Sequence, residues 1–244
     1  MTAPIRMVAF DMAGTTVADT GAVEEAFQQA LDAVGITAGE LRHEPQAYIR
    51  RTMGQSKLAV FTELLRGDRH RAEQANNAFE RAFDQAVTRG EVEPVTGAEA
   101  VFAALRDAGM RLCLTTGFSP VTRDRIIATL GWQGMVDLAL SPVDAGRGRP
   151  WPDMILTAVL RLRIDDVAEV AVVGDTSNDL VAGTRAGASI VVGVLNGAHT
   201  RSELAVAPHT HLIESVADLP GLLLARGPGQ SGGVRSAGSS RGKP

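Results

Sequence analysis

The chain has 244 residues, 45% of them hydrophobic, with a formal net charge of −4 and an isoelectric point near 5.8. That length supports one substantial core plus a smaller domain, and the mildly acidic balance favours neither nucleic acid nor a membrane surface as a partner. No apolar run approaches the roughly 20 residues that span a bilayer, and the single cysteine, Cys113, excludes an intramolecular disulfide, so we expect a soluble, cytoplasmic protein.

The first predicted strand, Met7–Phe10, is followed by a long region without strand-like runs. In this region Val23, Phe27 and Leu31 recur at helical spacing, which predicts an amphipathic helix. Three later segments also have helical patterns: Leu41–Met53, Ser56–Leu65 and Arg71–Val87. We therefore predict an all-helical insertion at residues 20–91.

From about Pro94 onwards, short apolar runs alternate with helix-length segments. The predicted strands are Arg111–Leu114, Val136–Leu140, Val170–Val173 and Ile190–Val194. The predicted helices are one through Val101 and Leu105 that ends at Gly109, Val121–Leu130 closed by Gly131, Asp153–Leu162 and Leu180–Ala186. This alternation is typical of an α/β protein with a doubly wound parallel sheet. Residues 1–19 and 92–226 are predicted to form that core, and the Gly/Ser-rich residues 227–244 a disordered tail.

A polar hexapeptide, Asp-Met-Ala-Gly-Thr-Thr, stands at residues 11–16, where the first strand ends. The carboxyl ends of parallel strands are where α/β sheets place reactive groups. A phosphoester hydrolase built on Asp11 would need a second acid at position 13, because the departing alkoxide must be protonated. The chain has Ala13 there, so either the leaving group needs no acid or the chemistry is impaired.

Three further motifs follow in the second part of the chain. They are Thr115-Thr116-Gly117 after a strand, Gly148-Arg149-Pro150 before a helix, and Val173-Gly174-Asp175 with Asp179 four residues later. Each motif alone is weak, but their order together with Asp11 resembles the haloacid dehalogenase superfamily of phosphoryl-transfer enzymes over about residues 7–225. The resemblance implies a Rossmann-like core with an inserted helical cap.

The chemistry of this set favours phosphoryl transfer through Mg²⁺. A phosphoryl dianion repels an attacking carboxylate, so a divalent cation is needed, and Asp11 and Asp175 offer the hard oxygen ligands that Mg²⁺ prefers. Asp11 would be the nucleophile that forms an aspartyl-phosphate. By resemblance, the backbone carbonyl of Ala13 is a further ligand. Asp179 either joins the metal site or only stabilises the start of a helix.

The phosphoryl oxygens need donors as well. Thr116, the amide of Gly117 and the guanidinium of Arg149 are candidates, with Arg147 as the alternative cation. Gly14 and Thr15 of the first motif join them as predicted phosphate contacts.

Ala13 points to one branch of the superfamily, the phosphonatases. These enzymes have Ala at the same place in an Asp-x-Ala-Gly-Thr-Thr motif, Arg in the third motif, and an imine-forming lysine in a Met-Gly-x-x-Lys segment of the cap. Here Met53-Gly54-Gln55-Ser56-Lys57 has that spacing, which makes Lys57 a catalytic candidate and Met53 a substrate contact. Phosphonatases pair through their caps, so the resemblance also implies a homodimer.

The combination has a mechanistic logic. A carbon leaving group is poor unless its electrons delocalise, and a protonated imine between an aldehyde and Lys57 would accept them. No alkoxide is then expelled, and Ala13 ceases to be a defect. Lys57 must be neutral to attack, and since the pKa of lysine is normally near 10.4, burial or cations such as Arg50 and Arg51 would have to lower it.

The chain also departs from the phosphonatase pattern. Phe118 replaces a Tyr, Val60 replaces a His, and Gly21-Ala22 stand where a Cys is found. Three interpretations therefore stay open: a Mg²⁺-dependent hydrolase of the C–P bond in phosphonoacetaldehyde or a related phosphonyl aldehyde, a phosphatase of a small ester such as phosphoglycolate, and a catalytically silent binding protein.

Overall fold

A parallel sheet forms the centre of the computed structural model, which describes residues 3–18, 20–36, 41 and 43–224. Within these ranges the strands are β1 Met7–Asp11, β2 Arg111–Thr115, β3 Leu138–Leu140, β4 Val170–Gly174, β5 Ile190–Val194 and β6 His211–Ile213. Their order is β3-β2-β1-β4-β5-β6, and every neighbouring pair is parallel. The chain starts at the centre and winds first to one edge and then to the other. The predicted doubly wound α/β fold is confirmed.

Eleven α-helices accompany the sheet in the described ranges. They are α1 Ala22–Ala33, α2 Pro45–Arg51, α3 Lys57–Leu64, α4 Arg69–Thr88, α5 Ala98–Asp107, α6 Pro120–Thr129, α7 Pro142–Ala145, α8 Asp153–Leu162, α9 Ser177–Ala186, α10 Arg201–Ala205 and α11 Leu219–Leu224. We call α1–α4 the helical insertion, since they follow β1 directly and precede the rest of the sheet. The boundaries of the predicted domains stay a prediction. None of these helices has the length and apolar composition needed to cross a bilayer.

The central strands are buried on both faces, which explains why their sequences are continuously apolar. Alternate side chains of β1 divide between two clusters: Val8 and Phe10 pack in one, whereas Met7 and Ala9 pack against α8 in the other. Cys113 belongs to the second cluster and is fully buried. Burial raises the pKa of its thiol, so Cys113 packs as a small hydrophobic core residue.

Aromatic rings hold the helical insertion together. The ring centroid of Phe27 on α1 lies 4.8 Å from that of Phe79 on α4 and 5.0 Å from that of Phe61 on α3. A hydrogen bond also joins this insertion to the core: Ser119 Oγ donates to the carboxylate of Glu80 on α4 at 2.7 Å. Ser119 is the N-cap residue of α6, so α4 is tied to the start of that helix.

Several predicted boundaries were wrong for local reasons. β3 begins at Leu138 rather than Val136, because the Asp137 carboxylate accepts hydrogen bonds from the Leu112 backbone and from Arg111, each at 2.8 Å. The helix predicted from Leu41 begins at Pro45, and the one predicted from Leu180 begins at Ser177. Four short elements were missed: β6, α7, α10 and α11. The predicted tail at residues 227–244 lies outside the described residues.

Candidate active site

Adjacent strand ends gather the polar residues of three motifs at one edge of the sheet. Asp11 is the last residue of β1, Thr116 directly follows β2 and Asp175 directly follows β4. Both β2 and β4 are neighbours of β1. The carboxyl edge of the sheet therefore presents these side chains together, as their positions in the sequence predict.

Three buried carboxylates form the most acidic point of this edge. One side-chain oxygen from each of Asp11, Asp175 and Asp179 lies within 4.8 Å of the others. Burial raises the pKa of Asp11 well above its ordinary value of 3.8; the nearby Arg149 opposes this rise, and the other two carboxylates add to it. Burial, with Asp179 beside it, also raises the pKa of Asp175, to about 6. The arrangement thus concentrates negative charge on oxygen donors, which fits a hard divalent cation.

Arg149 is the buried cation of the site. Its Nη1 donates to the carboxylates of both Asp11 and Asp179. Although burial opposes its charge, these two carboxylates raise the pKa of Arg149 above its ordinary value. Within the described residues, its buried Nε and Nη2 have no hydrogen-bond partner. Arg149 therefore offers two further donors to an anion at this edge.

The alternative cation, Arg147, lies outside the site. Its Nε and Nη2 each donate at 2.8 Å to the carboxylate of Asp153, and its guanidinium lies 4.3 Å from the centroid of the Trp151 ring. Of the two arginines, only Arg149 is buried beside the carboxylates.

The position of Asp179 is compatible with both alternatives that the sequence left open, a metal ligand and a helix-capping residue. Thr176 is the N-cap residue of α9 and forms a capping box with Asp179. One oxygen of the Asp179 carboxylate accepts a hydrogen bond from the Thr176 backbone N–H at 3.1 Å. The other carboxylate oxygen accepts from Arg149. Asp179 therefore stabilises the start of α9 and lies in the carboxylate cluster as well.

The first motif supports Asp175 from the other side. Thr15 Oγ1 donates to Asp175 Oδ1 at 2.9 Å, and the Ala198 amide donates to Oδ2 at 2.7 Å. Gly14 has a φ of +87°, and a Cβ there would overlap the Asp175 carboxylate. Gly14 and Thr15 were predicted as phosphate contacts; in the structure they fix the position of Asp175.

Lys57 lies in an aromatic pocket between the helical insertion and the segment that follows β2. It is the first residue of α3 and is only 5% exposed. Its Nζ lies 5.2 Å from the ring centroid of Phe27, 5.7 Å from that of Phe79 and 5.3 Å from that of Phe118. We call these three rings the aromatic cage.

The two arginines expected near Lys57 are directed elsewhere. Arg50 lies 4.0 Å from the Glu24 carboxylate with 60% of its side chain exposed, and the Arg51 guanidinium lies 5.2 Å from the Tyr48 ring centroid. Of the two alternatives that the sequence left open for Lys57, burial or nearby arginines, the structure shows burial, among aromatic rings.

A small, narrow cavity lies between the insertion and the sheet edge. Its lining contains predicted site residues from both sides: Asp11, Ala13, Met53, Lys57, Thr116, Gly117, Arg149 and Asp175. The remaining walls are Val23, Gly54, Phe118, Thr176 and Ala198. Its volume of about 20 Å³ corresponds to about one water molecule. The insertion is therefore closed over the sheet edge.

The sequence holds a signal for Lys57 beyond its motif. Of the 24 basic residues, 22 are arginine and only Lys57 and Lys243 are lysine. A chain that places arginine at nearly every cationic position has a lysine in this pocket. Two polar residues near the cavity, Asn178 and His199, had no motif to reveal them.

Comparison with known proteins identifies the family. The model of the haloacid dehalogenase-like hydrolases matches residues 5–187. The chain belongs to this family. The phosphonoacetaldehyde hydrolase of Bacillus cytotoxicus is 31% identical over 217 residues, which cover 79% of this chain and 76% of the relative. The enzyme of the same name from Bacillus cereus strain AH820 is 30% identical over 220 residues, with the same two coverages.

Several solved structures share the fold. A hydrolase from Pseudomonas syringae superposes with a TM-score of 0.80 at 24% identity, covering 91% of this chain and 99% of its own. A phosphonoacetaldehyde hydrolase-like protein from Oleispira antarctica gives 0.78 at 23% identity, covering 92% and 93%. A protein described as a predicted phosphoglycolate phosphatase from Haemophilus somnus gives 0.71 at 17% identity, covering 91% and 99%. These likenesses concern the fold alone.

Proposed function

We propose that this hydrolase cleaves the C–P bond of phosphonoacetaldehyde or a related phosphonyl aldehyde, with Asp11 as nucleophile and Lys57 as the imine-forming amine. One observation carries the proposal: Lys57 and Asp11 line the same cavity, in which Ala13 stands at the position where an alkoxide leaving group would need an acid. The names of the 30–31% identical relatives support the same substrate.

The sheet edge would bind the phosphoryl group. Asp11, Asp175, Asp179 and the backbone carbonyl of Ala13 would hold Mg²⁺, which when bound neutralises charge between the carboxylates and the phosphonate. The unpartnered Nε and Nη2 of Arg149 would donate to phosphoryl oxygens.

The segment after β2 would supply further donors to the phosphoryl group. The hydroxyl of Thr116 already accepts from the Phe118 amide at 3.2 Å, so its own proton stays available for donation. The amide of Gly117 lies beside it in the cavity wall. Together with Arg149 these groups would orient phosphorus toward Asp11.

The insertion would bind the leaving group. The neutral amine of Lys57 condenses with the aldehyde, and water leaves as a protonated imine forms. The Asp11 carboxylate then attacks phosphorus, and the C–P electron pair moves toward the imine to give an enamine and an aspartyl-phosphate. Water hydrolyses the aspartyl-phosphate to phosphate, whereas protonation and hydrolysis of the enamine release acetaldehyde and restore Lys57.

The aromatic cage suits the cationic imine. Removal from water disfavours an ammonium ion, whereas the faces of aromatic rings attract a cation. A protonated imine formed at Nζ keeps the positive charge at the position that Phe27, Phe79 and Phe118 surround. The cage would therefore stabilise the intermediate that accepts electrons from phosphorus.

Substrate entry requires the insertion to move, because the closed cavity has room for about one water molecule. The insertion would act as a lid that excludes water and brings Lys57 to the sheet edge. The homodimer implied by the family resemblance stays a prediction, which light scattering on the purified protein checks.

Phosphate release from phosphonoacetaldehyde, other phosphonates and phosphoglycolate tests the proposal, with Lys57→Arg and the matched control Lys243→Arg. We expect Mg²⁺-dependent release from the aldehyde, loss in Lys57→Arg and full activity in Lys243→Arg. Borohydride added during turnover should leave an ethyl group on Lys57, and peptide mapping is unambiguous with only two lysines. Full turnover of the best substrate by Lys57→Arg, or a preference for phosphoglycolate, would establish the phosphatase alternative instead.

A further inference from the structure

The segment that leads to Lys57 is fastened to the core by two side chains outside the catalytic set. We call residues 50–56 the cap loop. Asn178 Nδ2 donates to the Met53 carbonyl at 2.8 Å and to the Arg51 carbonyl at 3.3 Å. His199 Nε2 lies 3.2 Å from the Arg50 carbonyl oxygen. Both side chains therefore contact the backbone of the cap loop.

Their hydrogen-bond partners define the orientation of each side chain. The Ser177 backbone N–H donates to His199 Nδ1 at 3.1 Å, so Nδ1 carries no proton, and Nε2–H donates to Arg50. The Oδ1 of Asn178 accepts from Gln55 Nε2 at 3.1 Å. Both ends of both side chains are therefore in use, and His199 and Asn178 are 4% and 8% exposed.

The same two residues belong to the segments that carry the carboxylate cluster. The His199 amide donates to the Asp175 backbone carbonyl at 3.3 Å, and Asn178 directly precedes Asp179. Each side chain thus joins a segment of the sheet edge to backbone carbonyls in the last turn of α2 or just after it.

We propose that Asn178 and His199 are positioning residues that latch the cap loop to the sheet edge and so hold Lys57 in the cavity. The latch consists of neutral hydrogen bonds to three backbone carbonyls of the cap loop, those of Arg50, Arg51 and Met53. Breaking it lets the loop leave the core and exposes Lys57 to water. Its kinetic consequence rests on the proposed function, but the closure itself does not.

The accessibility of Lys57 to an amine-specific acylating reagent tests the latch directly. Because Lys57 and Lys243 are the only lysines, the ratio of their labelling rates is an internal measurement in each sample. His199→Asn is the sharpest variant: the Asn oxygen can replace Nδ1 as the acceptor for Ser177, but the shorter side chain does not reach Arg50. Asn178→Ala removes the other half of the latch.

We expect each variant to raise the Lys57-to-Lys243 labelling ratio about fivefold or more, the effect of losing a net hydrogen bond of about 1 kcal/mol. Hydrogen exchange of the amides at 52–57 should rise together with it. His209→Asn, at an exposed histidine whose Nδ1 contacts Ala207, is the matched control and should leave both readouts unchanged. Unchanged labelling and exchange in both latch variants would overturn the proposal.

Kinetics separate the latch from the proposed function. A latch predicts a lower kcat with phosphonoacetaldehyde and partial recovery in His199→Gln, whose amide reaches the position of Nε2. If labelling rises but the aldehyde is no substrate, the latch stands and the proposed function fails. If the aldehyde is a substrate and labelling stays at the wild-type level, the latch fails and the function stands.

Discussion

The two halves of the cavity differ in chemistry although they face each other across a few ångströms. The sheet edge holds three buried carboxylates and the guanidinium of Arg149. The opposite, apolar half holds the amine of Lys57 among aromatic rings, two from the insertion and Phe118 from the segment after β2, and its lining also includes Val23 and Met53 of the insertion. The charged half suits any phosphoryl transfer, whereas the apolar half suits one kind of leaving group. The specificity of this hydrolase is therefore expected to come from the insertion.

The largest effect is expected from a substitution that changes the charged half of the cavity alone. Asp11→Asn keeps the shape of the side chain but removes the proposed nucleophile, and we expect phosphate release to fall at least about 10³-fold. The apolar half should survive, so borohydride trapping of the aldehyde on Lys57 should persist in this variant. Loss of trapping together with turnover would contradict the division of the cavity into two independent halves.

The second largest effect is expected from a substitution that increases the distance between the two halves of the cavity. Gly117 forms the point of closest approach, because a Cβ there would overlap the Gln55 backbone carbonyl, and the Gly117 carbonyl accepts from the Lys57 amide at 3.4 Å. Gly117→Ala should prevent full closure and lower kcat/KM by about 10- to 100-fold, the cost of misplacing a catalytic group by about 1 Å.

A matched substitution controls for the added methyl group. A Cβ added at Gly221 in α11 would meet no neighbouring atom within 4 Å among the described residues, so Gly221→Ala should leave kcat/KM at the wild-type level. Equal activity of Gly117→Ala and wild type would show that the halves need not approach as closely as the structure has them.

The motifs explain why the charged half could be predicted from the sequence. Asp11, Thr116 and Asp175 each follow a recognisable strand, and parallel strands bring such positions to one edge. Local patterns also located the helices of the insertion, apart from their ends. Element ends depend on single contacts, such as the hydrogen bonds to Asp137 before β3, which no periodicity reveals.

The connection between the halves could not be predicted. Asn178 and Met53 are 125 positions apart, and His199 and Arg50 are 149 apart, so no local pattern contains both partners. The aromatic cage was missed for the same reason, since Phe27, Phe79 and Phe118 lie in three separate segments. The sequence left open whether Lys57 is buried or has Arg50 and Arg51 beside it, because proximity along the chain was the only information present.

The charged half should also respond to pH in a defined direction. The pKa of Asp175 is raised from 3.8 to about 6 in the metal-free fold, so the folded state holds a proton that the unfolded state has lost between about pH 4 and pH 6. The free energy of unfolding should therefore fall as the pH rises through this window, by about 3 kcal/mol for a shift of this size. Thermal melts from pH 4 to 8 without metal measure it.

Mg²⁺ should reverse this trend, because it binds the deprotonated carboxylates. Its Kd should rise about tenfold for each pH unit below 6, so Mg²⁺ should raise Tm at pH 7 and have little effect at pH 5. Asp175→Asn should lose the part of both dependences that Asp175 contributes, whereas Asp11, whose pKa is also raised by burial, should keep the rest. A wild-type Tm that depends neither on pH nor on Mg²⁺ would contradict this prediction. It would mean that the buried carboxylates are not protonated in the metal-free fold and do not bind Mg²⁺ when deprotonated.

The smallest expected effect tests the apolar half alone. Phe118→Tyr adds the hydroxyl found in the phosphonatase pattern to a ring that is 2% exposed, 5.3 Å from Lys57 Nζ and 4.5 Å from the Phe83 centroid. A buried hydroxyl costs about 1–3 kcal/mol unless it finds a partner, so Tm should fall slightly. We expect turnover of the aldehyde to change about two- to threefold, since the ring face that meets the cation is kept.

Phe83→Tyr makes the same change in the neighbouring ring outside the cage, and should lower Tm without altering turnover. If turnover of the aldehyde rises tenfold or more in Phe118→Tyr alone, a hydroxyl beside Lys57 takes part in the chemistry. The wild-type cavity, which lacks this hydroxyl, would then be suited to a different substrate.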